Sequence, residues 1–117
     1  MSRARSTPAA RLQESAPVFA ALGDPTRLRL VARLCADGPL SITRLSEDVD
    51  VTRQAVTKHL GVLEDAGLVT RERVGREVRF AVEPDRLNDA ARAMAQIANA
   101  WDRRLATVKR LAEDASP

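Results

Sequence analysis

The sequence predicts a mainly α (α+β) fold: about five helices, with one β-hairpin placed before the last of them. Three observations carry that prediction. Up to Gly67, apolar residues recur every three to four positions behind recognisable capping residues. Just after Gly67 the apolar period falls to two, the spacing of a half-buried strand. From Pro84 a helical pattern resumes and runs for about 30 residues, roughly 45 Å of α-helix.

The first helix is expected over residues 9–22, with Leu12, Phe19, Ala20 and Leu22 at helical spacing and a kink or restart at Pro17. Gly23 ends it. Asp24-Pro25 then supplies an N-cap and a proline at the first helical position, where its missing N–H costs nothing. Leu28, Leu30, Val31, Leu34 and Cys35 mark the apolar stripe of this second helix, which Gly38-Pro39 stops. Cys35 is accordingly expected as a small core residue. Ser41 caps a third helix of about two turns carrying Ile42, Leu45 and Val49. After the tight Asp50-Val51-Thr52 connection, Thr52 caps a fourth helix whose inner face is Ala55, Val56, Leu60 and Leu63 and which closes at Gly67. Two short helices joined by roughly three residues form the helix-turn-helix pattern.

Leu68 and Val69 lead into a strand bearing Arg71, Glu72 and Arg73, and Val74-Gly75-Arg76 turns the chain. Val78, Phe80 and Val82 then share one face of the returning strand, with Arg79 opposite. A hairpin in this position makes the pattern a winged helix-turn-helix. In the final helix Leu87, Met94, Trp101 and Val108 recur every seven residues, as do Ala91, Ala98, Leu105 and Ala112. That seam is longer than the body of so small a domain can cover, and a second copy of the chain is the simplest cover.

The 117 residues are 44% hydrophobic and 30% charged, which fits one folded domain, read here as residues 9–115 behind a flexible leader at 1–8. Arg3, Arg5 and Arg11 give the N-terminus a cationic start without the apolar run of a signal peptide. No stretch is long and apolar enough for a membrane span, so no membrane partner and a cytoplasmic location are expected. One cysteine excludes a disulfide or a cysteine cluster within one chain. One histidine, no tyrosine and no glycine-rich phosphate loop leave no nucleophile–base–orienter set, so no enzyme and no cofactor are expected. Net charge is only +3; residues 24–83 hold ten cations against ten anions, so any nucleic-acid binding depends on how cations are placed.

The outward positions of the fourth helix are Thr52, Arg53, Gln54, Thr57, Lys58 and His59, all able to donate hydrogen bonds. Arginine matches guanine and glutamine matches adenine in bidentate fashion, while threonine suits a phosphate or a thymine methyl. The hairpin adds Arg71, Arg73, Arg76 and Arg79; alternation is expected to put the odd-numbered arginines on a common side, where they straddle a phosphate backbone or enter a minor groove. Glu72 and Glu77 are expected as cross-strand partners. The expected partner is double-stranded DNA.

The strings ALGDPTRLRLVARL (residues 21–34) and VTRQAVTKHLGVLEDAGLVTRERVGREVRF (residues 51–80) resemble the ArsR/SmtB family of dimeric winged-helix repressors, over about residues 15–110. The resemblance implies that the fourth helix reads operator DNA through Thr52, Gln54, Thr57, Lys58 and His59. It also implies a homodimer joined through the first and last helices, with Leu12, Phe19, Leu87, Met94, Ile97, Trp101, Leu105 and Val108 as the candidate interface. Many members sense metals through a Cys-x-Cys pair in the third helix; here those positions are Ser41 and Thr43, and no histidine follows His59. The chain resembles the branch without a metal site, which often carries a Trp-Asp pair such as Trp101-Asp102. Two alternatives remain open at this point: a small-molecule effector lodged between the final helices near Trp101, and a winged-helix interaction module that binds no DNA.

Overall fold

The computed structural model describes residues 7–115. The chain runs α1 (Pro8–Leu22), α2 (Pro25–Asp37), β1 (Leu40–Ser41), α3 (Ile42–Ser46), α4 (Arg53–Asp65), β2 (Val69–Val74), β3 (Glu77–Val82) and α5 (Pro84–Asp114). This is a winged helix-turn-helix: five helices and a three-stranded antiparallel sheet in the order β1-β3-β2. Arg3 and Arg5 lie outside the described residues, whereas Thr7 and Pro8, read as leader, cap and open α1.

Local chemistry sets the helix starts. The Asp24 carboxylate accepts from the amides of Thr26 (2.9 Å) and Arg27 (3.0 Å), Ser41 accepts from Arg44 (3.3 Å), and Thr52 accepts from Ala55 (3.1 Å). α4 ends in a Schellman turn: the amide of Gly67 donates to the Glu64 carbonyl and that of Leu68 to the Leu63 carbonyl, with Gly67 at φ +75°. The Arg86 guanidinium adds a bond to the Ala66 carbonyl at 3.1 Å, tying α5 to the end of α4.

Several expectations are corrected. α1 is one helix through the exposed Pro17, so the chain does not restart there. α3 has five residues rather than two turns, so Val49 lies beyond it and packs on the core from the connecting turn. The connection to α4 is correspondingly longer than three residues. β1 was not expected: two residues are too few to show a period, yet Leu40 pairs with Phe80 and Ser41 with Arg79. Cys35 is exposed, as is Leu28. The buried stripe of α2 is Leu30, Val31 and Leu34, and Cys35 lies about 100° round the helix from Leu34, past its edge.

The core gathers Val18 and Ala21 from α1, the α2 stripe, Leu45 from α3, Val56, Leu60 and Leu63 from α4, Leu68, Val69, Phe80, and Ala90 from α5. α5 packs on this body along α1 and is bonded to the end of α4. Ala90 and Ala93 are its buried residues, and beyond them the helix projects with one apolar face uncovered. The radius of gyration, 19.1 Å, reflects that projection; a compact chain of this length has about 13 Å.

Candidate nucleic-acid interface

α4 is seated by three fully buried side chains, Val56, Leu60 and Leu63. Their spacing fixes the helix's rotation and turns Arg53, Gln54, Thr57 and Lys58 to solvent. Within this group the side chains differ in what already holds them. Arg53 Nη2 donates to Thr43 Oγ1 at 2.8 Å, linking α4 to α3. Thr57 Oγ1 donates to the Arg53 carbonyl at 3.0 Å, and Thr52 is engaged as the cap. Gln54 and Lys58 are exposed and have no side-chain partner among the described residues.

His59 is placed differently. It is half-buried on the flank of α4, with Nδ1 3.2 Å from Nη1 of Arg27 and 3.9 Å from Oδ2 of Asp24. Sequence reasoning missed Asp24 and Arg27 as neighbours of the site, because they lie 35 and 32 residues before His59 and only the fold brings them to it. The bond from the Arg27 amide, above all, holds the Asp24 carboxyl below its ordinary range, with the bond from the Thr26 amide and the Arg27 charge adding to the effect against partial desolvation.

The wing is built on the register Arg71↔Phe80, Glu72↔Arg79 and Arg73↔Val78, closed by Gly75-Arg76 with Gly75 at φ +65°. Paired residues share a face, so Arg71 and Arg73 lie with Val78 and Phe80, and Arg79 lies on the other side with Glu72. The expectation of one common arginine side is therefore corrected. Glu72 stands opposite Arg79 as a cross-strand partner, whereas Glu77 stands opposite Val74 and accepts from Arg79 Nε of its own strand at 2.6 Å.

Arg71 is engaged inside the molecule. Its Nε donates to Glu64 Oε2 at 2.8 Å, and its guanidinium lies 5.1 Å from the centre of the Phe80 ring. This ties the base of the wing to the last turn of α4. Arg76 stands exposed at the wing tip with no partner among the described residues.

The Glu64–Arg71 pair makes a testable contribution to stability. The hydrogen bond from Arg71 lowers the Glu64 pKa from its usual 4.5, against partial desolvation. A depressed folded-state value means the stabilisation is full above pH 4.5 and fades as pH falls through the lower folded value. A double-mutant cycle of Glu64→Gln and Arg71→Met, read by chemical denaturation, is expected to give about 0.5–1 kcal/mol of coupling at neutral pH. The coupling should vanish in strong acid; equal coupling at both pH values would contradict this account.

Ser41 and Thr43, where metal-sensing relatives of the resembled family carry thiolates, here cap α3 and bind Arg53. Among the described residues no group of three or more His, Cys, Asp and Glu side chains is arranged to hold a metal ion. No described helix is long and apolar enough to cross a membrane.

A helix-turn-helix domain family model matches residues 22–72, spanning α2 through the first part of β2. The uncharacterized HTH-type transcriptional regulator YuzN of Bacillus subtilis is 45% identical over 65 residues, which is 50% of this chain and 71% of that protein. The arsenical resistance operon repressor of the same organism is 33% identical over 70 residues, covering 60% and 67% of the two chains. An ArsR-like transcriptional regulator from Rhodococcus sp. RHA1 superposes with a TM-score of 0.69 at 42% identity, over 86% of this chain and 93% of its own. The chain belongs to the ArsR family. It is a DNA-binding transcriptional regulator of winged helix-turn-helix fold, not an enzyme. In this ArsR-family chain α3, α4 and the wing are braced together by the Arg53–Thr43 and Arg71–Glu64 contacts.

Proposed function

We propose that the chain acts as a homodimer that represses transcription by binding an inverted-repeat operator, with α4 in the major groove and the wing along the adjoining backbone. The observation that carries the reading is the surface presented by α4 and the wing tip. Gln54 and Lys58 stand exposed and unpaired beside Arg53 and Thr57 on α4, and Arg76 stands exposed and unpaired at the wing tip. Of these, Gln54 matches an adenine edge, while Lys58 and Arg76 suit phosphates. Arg53, Arg73 and Arg79 are held by weak or exposed contacts that a phosphate or a guanine can replace. Arg71 acts by holding the wing against α4 rather than by touching DNA. The repressor assignment is supported by the relative named as an operon repressor.

Dimerisation is supported by α5, where Met94, Ile97, Trp101, Leu105, Val108 and Leu111 make one uncovered apolar stripe. Leu111 joins the residues expected from the sequence. Phe19 and Leu87 are half-buried against their own core and Leu12 is half-buried on α1, which leaves less of each to offer a second copy. Helix-turn-helix dimers read half-sites about 34–36 Å apart, one turn of the duplex, and that is the operator spacing proposed here.

Binding to the DNA just upstream of the protein's own gene, measured against scrambled DNA across a salt series, tests the reading. Gln54→Ala should relax base choice at one position in each half-site. Arg76→Ala should weaken every sequence alike and reduce the salt slope by about one per half-site. Binding profiles unchanged in both variants would overturn these roles.

A further inference from the structure

We propose that Arg27 is a positioning residue for the recognition helix α4, and that it sets His59 as a neutral Nε2–H donor to a DNA backbone phosphate. The second half rests on the DNA-reading function proposed above.

Arg27 lies in the first turn of α2, and its guanidinium joins three helices. Nε donates to the Ala21 carbonyl in the last turn of α1 at 2.6 Å, while Nη1 lies 3.2 Å from His59 Nδ1 on α4. A guanidinium has only N–H groups to offer and remains charged, so it can only donate. Nδ1 must therefore accept, which makes the ring neutral and places its one proton on Nε2. Asp24, 3.9 Å from Nδ1, does not compete for that position: its Oδ2 already accepts from the amides of Thr26 and Arg27.

The other ring nitrogen faces outward. His59 is only partly buried, and no polar side-chain atom among the described residues is buried without a partner. Nε2 has no partner among those residues, so it meets solvent. It does so on the same helix as Lys58 and one residue away from it, at the edge of the face proposed to meet DNA. Packing and interhelix bonding use the ring and Nδ1 and leave the Nε2 proton unspent. An oriented N–H that carries no charge binds a phosphate oxygen without adding a cation, which is how a backbone contact positions a protein without enlarging its salt dependence.

His59 is the only histidine in the chain, so a histidine-labelled sample gives one imidazole spectrum without assignment. In mildly alkaline buffer, two-bond proton–nitrogen correlations of the free protein should show the Nε2–H tautomer alone. Arg27→Met, which keeps an apolar stem and removes the donor, should give tautomer-averaged nitrogen shifts. A mixed or Nδ1–H ring in the parent protein, or an Arg27→Met spectrum identical to the parent, would overturn the positioning role.

For the phosphate contact, His59→Gln carries a donor out to the reach of Nε2, whereas His59→Asn ends near Nδ1. The Gln variant should keep its affinity for the upstream DNA, and the Asn variant should lose about tenfold on every sequence with its salt slope unchanged. Equal affinities for the two variants, or a slope that drops with Asn, would overturn the contact. A parent protein that binds no DNA at low salt would refute the proposed function and the contact with it, while the tautomer spectrum still decides the role of Arg27.

Discussion

Replacing Trp101 and Leu105 together by aspartate is expected to convert a dimer into a folded monomer and to weaken binding to a two-half-site duplex by at least about 100-fold. The two side chains are 61% and 48% exposed in the single chain, so carboxylates there disturb little of the fold of one copy. In the proposed interface the apolar stripe of the second copy covers both positions, and carboxylates buried there have no partner to offset their desolvation. Light scattering gives the mass and a binding titration gives the affinity. The expected pair of results is half the parent mass and a shallow, weak isotherm on DNA, with helix content retained. An unchanged mass would move the dimer contact away from α5.

Leu60→Ala is expected to cost about 2–5 kcal/mol, because Leu60 is fully buried between α4 and the rest of the core and its removal leaves a cavity. That is a large share of the roughly 5–15 kcal/mol that holds a domain of this kind. At fixed protein concentration Tm should fall by on the order of 10 °C. Val62, two residues along the same helix and 41% exposed, supplies the comparison: Val62→Ala should change stability by no more than about 0.5 kcal/mol. Equal losses in the two variants would mean that the seating of α4 is not what the buried stripe describes.

The fold was legible wherever its determinants are local. Asp24, Ser41 and Thr52 cap helices through bonds to amides two or three residues on, and Gly67 ends α4 with its own positive φ. Such contacts are written in adjacent letters. Features set by pairing across the chain were not legible. In a hairpin closed by a two-residue turn, facing positions differ in parity, so odd-numbered Arg71 shares a face with even-numbered Phe80 and not with Arg79. Counting alternation along one strand cannot carry across that turn. β1 exists only because β3 offers Leu40 and Ser41 a partner edge.

The candidate site divides in the same way. Outward positions of α4 followed from helical period, which placed Gln54 and Lys58 correctly as exposed. Their engagements did not follow. That Arg71 is held by Glu64 and Phe80, Arg53 by Thr43, and His59 by Arg27 depends on neighbours 7 to 32 residues away in sequence. The exposure of Cys35 belongs here too, since the width of the buried stripe on α2 depends on which elements pack over it.

Selection of bound duplexes from a random library, followed by hydroxyl-radical footprinting of the winner, tests the central claim most directly, because the protein itself picks out the operator sequence. The account predicts enrichment of an inverted repeat, with protected backbone in two blocks centred about one helical turn apart and affinity that falls steeply with salt. No enrichment over the starting library at any salt concentration would contradict it.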